Sequence, residues 1–209
     1  MAIGWIIIVL QTTSMLTDHI QGYTLILASG SPRRQQFFKD LNLPFKVSVK
    51  DVEEVYPDTL KGAEIADYLA LLKASAQKES LQEKEILITS DTVVWLSNES
   101  LAKPANPKQA YTMLRKLSGV WHNVITSVCF TTPEKQVVVN HTTRVKFKDL
   151  SDQEIWHYID NYSPLDKAGA YGIQEWIGLI GIEEIQGSYT NVVGLPTQLV
   201  YNTLLEMLS

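Results

Sequence analysis

"LILASGSPRRQQFF", residues 25–38, sets an apolar run, a Ser-Gly-Ser-Pro turn and two adjacent arginines side by side. Residues 24–28 read as a buried strand. Ser31 is placed to cap a helix with Pro32 at its first position, and Phe37, Phe38 and Leu41 fall on the inner face. A strand feeding a tight turn and a helix leaves unpaired N–H groups and a positive dipole end at the strand's mouth. Ser29, Gly30 and Ser31 allow a ligand close to that backbone. Arg33 and Arg34 occupy the first turn, where the macrodipole disfavours a cation by roughly 0.3–1 kcal/mol. Two cations there call for an anion, and a polyphosphate suits the combination. The competing reading is a pair of solvated arginines, and no G-x-x-x-x-G-K-[ST] loop is present to decide between them.

The remaining segments build outward from this unit. "FKVSV" (45–49) alternates as a strand should, and "GAEIADYLALLKASAQ" (62–77) carries Ile65, Tyr68, Leu69, Leu72 and Ala76 at helical spacing. "ILITSDTVVWL" (86–96) is apolar and β-branched on both sides of Ser90-Asp91 and reads as a central strand or strand pair. Asn106-Pro107 opens a helix with Ala110, Leu114 and Leu117 inward and Gly119 closing it. Two long strands are expected over 122–131 and 136–148. "SDQE" (151–154) fits a capping box ahead of Ile155, Ile159 and Tyr162. "SPLDKAGAYGIQ" (163–174) is loop-rich and expected to end in a strand, with short strands around 177–193 and a final helix from Pro196 carrying Val200, Leu204 and Leu208 on one face. Helices and strands mix without a regular βαβ period, which predicts an α/β protein with a mixed twisted sheet flanked by helices.

The chain has 209 residues, 45% hydrophobic and 20% charged, a composition that supports a sizeable core. A net charge of -5 and the lack of a long basic block argue against a general nucleic-acid or membrane-surface binder. Cys129 is the only cysteine, which rules out an intrachain disulfide and a Cys-based zinc site and fits a reducing, cytoplasmic setting. Within "ITSVCF" it reads as inert core. The apolar run "GWIIIVL" (4–10) is too short to span a bilayer and lacks the basic flank and cleavage site of a signal peptide. Residues 1–21 are expected to be a loose extension or the result of an upstream start, with Met15 an alternative initiator, and 22–209 a single domain.

Asp91 lies between "ILIT" and "VVWL", so its carboxylate is expected at the interior end of a strand. A carboxylate in such a place is paired, bound to a metal or shifted for acid–base work, unless it is only a turn or capping aspartate. Mg²⁺ takes one or two carboxylates together with phosphate oxygens. Glu53 and Glu54 in "DVEEVYP" are the nearest second carboxylates, though an exposed acidic turn would look the same. Lys73, Lys103 in "LAKPAN" and Lys167 in "LDKAGAYGIQ" could add positive charge, although each alone is most often a surface residue. The small residues beside Lys167 permit close backbone approach, and the Gln174 amide is able to read a base edge through paired hydrogen bonds. His122 reads as a satisfied structural histidine at a strand start.

Taken together and in this order, "LASGSPRRQQFF", "SDTVV" with Lys103-Pro104, "LSGVWHNVITSV", "LDKAGAYGIQ" and "GSYTNVVGLP" resemble the Maf family of nucleotide pyrophosphatases. The resemblance spans roughly residues 24–205. It implies a two-lobed Maf/Ham1 (ITPase-like) architecture with a cleft between the lobes. It also implies hydrolysis of a nucleoside triphosphate between the α- and β-phosphates, supported by a divalent metal, Mg²⁺ or Mn²⁺. The family's general base falls on Asp91 and its specificity positions on Arg33, Thr92 and Gln174. Phosphate contacts would fall on Ser31, Arg34, Lys73, Lys103 and Lys167, with Glu54 and Asp91 at the metal. The "GAYGIQ" form looks like the subgroup acting on dTTP and UTP. Rival readings are a Maf-type enzyme for 7-methyl-GTP or CTP, and a nucleotide-binding regulator of cell division with little turnover. Three positions depart from the family's usual residues: Ser90 before Asp91, Ala102 in place of glycine, and Glu175 in place of glycine beside Gln174. The exposed apolar character of "EWIGLIGI" (175–182) makes a homodimer reasonable.

Overall fold

A computed structural model describes residues 15–209. The chain runs α1 (Leu16–His19), β1 (Thr24–Leu27), α2 (Pro32–Asp40), β2 (Phe45–Val47), α3 (Ala63–Ser75), β3 (Glu85–Leu96), β4 (Glu99–Ser100) and α4 (Pro107–Leu117). It continues with β5 (Trp121–Thr131), β6 (Gln136–Phe147), α5 (Asp152–Tyr162), α6 (Trp176–Gly181), β7 (Ile182–Gln186), α7 (Tyr189–Val193) and α8 (Thr197–Leu208). Seven strands form one mixed sheet ordered β2-β1-β3-β5-β6-β7, with β4 paired to β3. The β1 pairings with β2 and β3 are parallel, and β3-β5-β6-β7 is antiparallel. This is the expected mixed sheet flanked by helices.

The stretch 86–96 is a single strand, not a pair, and its period-2 alternation organises the molecule. One face of β3 sends Leu87, Thr89, Asp91 and Val93 beneath α3: Leu87 packs with Ala70 and Ala74, Thr89 donates to the Ala70 carbonyl, and Val93 meets Ile65 and Leu69. The other face sends Ile86 and Ile88 into a core built from α1, β1, α2 and α8, and Val94 into a second core built from α4, α5 and the 170–177 segment. The two long strands β3 and β5 therefore belong to both lobes, and Asp91 and Thr92 sit where the two cores part. Burying the side chains of these cores supplies roughly 1.5–3 kcal/mol each, which fixes the midpoint of β3 in place.

Several elements differ from expectation. Residues 15–21 of the expected loose extension are folded: Leu16 and Ile20 are buried in the first core, and the Leu16 N–H donates to the Tyr201 hydroxyl. The rest of that expected extension, residues 1–14, lies outside the described residues. The segment 175–193 holds one strand between two short helices instead of a run of strands. Close packing explains the first helix, because a Cβ at Gly178 would overlap the Ile173 carbonyl, so only glycine lets α6 fold back there. In α5 the interior belongs to Tyr158, fully buried, while Tyr162 is 40% exposed and stacks against it. On α3, Tyr68 is 37% exposed. Cys129 and His122 are buried, and His122 shares a 2.7 Å hydrogen bond with the Tyr171 hydroxyl. Burial pulls the His122 pKa down to about 4, consistent with a neutral structural imidazole. Among the described residues no helix is long and apolar enough to cross a membrane.

Candidate active site

A cleft of about 630 Å³ opens between the lobes over the middle of β3, and Ser31, Arg33, Arg34, Glu54, Lys73, Asp91, Thr92, Lys103, Lys167 and Gln174 all line it. Its floor is an ionic cluster. Ile65, Leu69 and Lys73 are four residues apart on one stripe of α3, so the packing that buries Ile65 and Leu69 against Val93 carries Lys73 over Asp91. Lys73 Nζ lies 2.5 Å from Asp91 Oδ1 and 3.0 Å from Glu54 Oε1. Asp91 Oδ2 accepts no hydrogen bond from the described residues, which leaves it available to the cleft. Burial raises the Asp91 pKa, with the Glu54 charge adding to the rise, and outweighs the opposing charges and hydrogen bond of Lys73 and Arg34. Glu54 goes the other way. Burial pushes it up, but the charge and hydrogen bond of Lys73, with Lys103 and Arg34, bring it below the ordinary value. The pKa values of two neighbouring carboxylates are thus driven apart, Asp91 upward and Glu54 downward.

The β1–α2 turn forms one wall. Ser31 caps α2, its Oγ accepting from the Arg34 N–H, and Ser29 Oγ accepts from the Ser31 N–H at 3.3 Å. The two arginines then part company. Arg34 turns inward: its Nε donates to the Gly194 carbonyl at 2.8 Å, one terminal nitrogen to the Ser90 carbonyl at 2.8 Å, and the other to Thr92 Oγ1 at 3.0 Å. Thr92 Oγ1 also shares a 2.9 Å hydrogen bond with Thr126 Oγ1. Arg34 therefore pins α2 to the midpoint of β3 and to the end of α7, an integrating role that the sequence reading did not foresee. Arg33 reaches across the cleft to Asp166, Nη1 to Oδ2 at 3.6 Å, and stays part-exposed.

The opposite wall comes from the 3-10 turns Pro164–Asp166 and Ala168–Ala170 and the loop after them. Gly169, at φ 67°, lies so close to β3 that a Cβ would meet Val94 at 3.0 Å. Lys167 is 8% exposed and paired to Asp166 at 2.7 Å and to Glu175 at 3.2 Å. Gln174 does not end a strand as expected. It occupies a turn closed by the Glu175 N–H donating to the Gly172 carbonyl at 3.0 Å, is exposed, and makes no hydrogen bond with the described residues. Lys103 is also exposed at the rim. The sequence reading missed Asp166 as the partner of Arg33 and Lys167, and Tyr158 behind the wall. Neither has a local signature, because each is defined by what it meets across the fold. Among the described residues no group of three or more His, Cys, Asp or Glu side chains could hold a metal alone. Asp91 and Glu54 nevertheless converge on one cation, the Lys73 ammonium.

The Maf-like protein family matches residues 24–207. The chain belongs to the Maf family. Among its Maf relatives, the dTTP/UTP pyrophosphatase of Flavobacterium psychrophilum is 59% identical over 192 residues, 92% of this chain and 98% of the relative. The dTTP/UTP pyrophosphatase of Phocaeicola vulgatus is 47% identical over 193 residues, 92% of this chain and all of the relative. The solved Ham1 protein of Staphylococcus aureus is 16% identical, with a TM-score of 0.44 over 60% of this chain and 72% of that one.

Proposed function

We infer that this Maf protein is a nucleoside triphosphate pyrophosphatase acting on dTTP and UTP, producing the monophosphate and pyrophosphate. One observation carries the reading: residues scattered from Ser31 to Gln174 in the sequence line a single cleft whose floor is a carboxylate with a raised pKa. The names of the full-length relatives support the choice of substrate.

Anhydride hydrolysis asks the protein for charge neutralisation and a positioned water. Arg33, Lys103 and Lys167 would bind the triphosphate, which displaces Asp166 from Arg33 and Lys167. Asp91 Oδ2 takes the proton of a water as its oxygen bonds to the α-phosphorus and the bridging oxygen departs with pyrophosphate. Lys73 holds Asp91 in place through Oδ1. Asp91 and Glu54 would hold a divalent cation, which when bound would offset phosphate charge and acidify water. The Gln174 amide, which makes no hydrogen bond with the described residues, would read the pyrimidine edge. Thr92, held by Arg34 and Thr126, would shape the wall beside it. A cytoplasmic setting, where nucleoside triphosphates are used, completes the reading.

The test is a panel of nucleoside triphosphates with Mg²⁺ or Mn²⁺, read as pyrophosphate release. Release from dTTP and UTP ahead of purine triphosphates is the expected result. Turnover confined to CTP or 7-methyl-GTP would overturn the base assignment, and binding without release would overturn the enzymatic one.

A further inference from the structure

Glu175 is one of the three positions where the chain departs from the family's usual residue, and its carboxylate has an unusual setting. It occupies the N-cap position of α6 yet makes no capping hydrogen bond. Instead the side chain turns back into the cleft wall, where it is 20% exposed. Its Oε1 lies 3.2 Å from Lys167 Nζ, and its Oε2 accepts a short hydrogen bond from the Tyr158 hydroxyl. That hydroxyl in turn accepts from the Gly172 N–H at 3.0 Å. Burial, followed by the Glu175 hydrogen bond and charge, raises the Tyr158 pKa, so the phenol keeps the proton it donates.

The far end of this chain is Gln174. Its amide folds over Gly172, close enough that a Cβ on Gly172 would stand 2.9 Å from Gln174 Nε2 and 2.9 Å from the Glu175 carboxyl carbon. Gly172 therefore has its N–H tied to Tyr158 and the Gln174 amide, which lines the cleft, packed against its α-carbon. The segment between Lys167 and Glu175 contains no helix or strand long enough to hold its own shape, so these contacts replace regular structure as the source of rigidity.

We propose that Glu175, acting through Tyr158 and the Gly172 backbone, is a positioning residue that presents the Gln174 amide to the base and so sets base discrimination. The proposal rests on the reading of this cleft as a nucleotide site and deepens it. Glu175 touches no reacting atom. An amide in a loose loop loses the fixed donor–acceptor geometry that separates one pyrimidine edge from another, while any change at Lys167, which loses its Glu175 partner but contacts a triphosphate common to every base, affects all substrates alike and cancels in the ratio between bases.

The experiment measures kcat/KM on the full nucleotide panel for the wild type, Glu175→Ala, Tyr158→Phe, Glu175→Gln, Gln174→Ala and the Glu175→Ala/Gln174→Ala double variant, with a melting curve for each. The ratio between the best base and the next is the readout. It is expected to fall about tenfold in Glu175→Ala and Tyr158→Phe. Glu175→Gln, whose amide oxygen still accepts from Tyr158, should stay near the wild-type ratio; Tyr158→Phe, which breaks the same contact from the other side, stands in if the alanine variant fails to fold, and a wild-type ratio there would overturn the proposal. On the Gln174→Ala background, Glu175→Ala should leave the ratio unchanged. A folded Glu175→Ala protein with the wild-type ratio, or an equal fall on both backgrounds, would overturn the proposal. Wild-type preference for another base would refute the substrate assignment alone, since the ratio is still defined. A wild type that turns over no triphosphate would overturn both.

Discussion

Asp91→Asn separates chemistry from packing at the floor of the cleft, because the amide fills the space of the carboxylate while removing its basicity. General-base catalysis contributes about 10²–10⁴-fold, so kcat should fall by that factor, a loss of about 2.7–5.5 kcal/mol of transition-state stabilisation. Stability should move little. Breaking a buried ion pair costs about 3–5 kcal/mol when it strands a charge, but Lys73 keeps Glu54 at 3.0 Å and is not stranded. The substitution also removes the desolvated carboxylate whose burial raises its pKa. These effects oppose one another, leaving a change of about 1 kcal/mol or less, within the range of one net hydrogen bond. The assay pairs single-turnover pyrophosphate release from dTTP with a thermal unfolding curve. Retention of more than about a tenth of wild-type kcat in a protein of unchanged Tm would remove Asp91 as the base. A drop in Tm matching the drop in activity would show instead that the carboxylate is structural.

Three further outcomes follow from the same geometry. Lys73 lowers the Asp91 pKa by charge and hydrogen bond; a base works only when ionised, so activity is lost as pH falls through its pKa, and Lys73→Gln should move that acid limb of kcat/KM to higher pH. An unmoved limb would detach Asp91 from the pH profile. Arg33→Ala should leave Tm within a degree or two but raise KM, whereas Arg34→Ala leaves the Gly194 and Ser90 carbonyls without their donor and should cost about 2–4 kcal/mol in a denaturant melt. Gly178→Ala should destabilise by about 3 kcal/mol or more, since the new methyl overlaps the Ile173 backbone, which cannot rotate away as a side chain could.

What was legible in the sequence is what repeats along it or sits next to itself. The Ser31 cap with Pro32 behind it, the capping box of Ser151 and Glu154, and the amphipathic stripe of α4 are local, and each forms as read. The segment 175–193 was not, because Ile177 and Val192 serve a helix or a strand equally well by hydrophobicity. The decision rests with Gly178 against Ile173 and with Ser188 capping Asn191, contacts that exist only after the chain has turned. Gln174 shows the same limit from the other side: its residue type pointed to base reading, but its turn is closed by Gly172 and by a tyrosine from another helix.

The arginine pair shows why the candidate site was more legible than its wiring. Both residues are in the first turn of α2 with the same charge, and nothing local distinguishes them. Adjacent helical positions point about 100° apart, so at most one can face the cleft freely while the other is directed toward the sheet. Which one goes inward is settled by acceptors supplied from afar, the Ser90 and Gly194 carbonyls and the Thr92 hydroxyl. Those acceptors lie on the lobe-bridging strand and on the end of α7, so Arg34 registers the β1–α2 turn against the same strand that carries Asp91. A helix-first-turn cation that would be unfavourable alone thus becomes the joint that aligns the cleft's wall with its floor, while Arg33 stays part-exposed at the cleft, paired only loosely with Asp166.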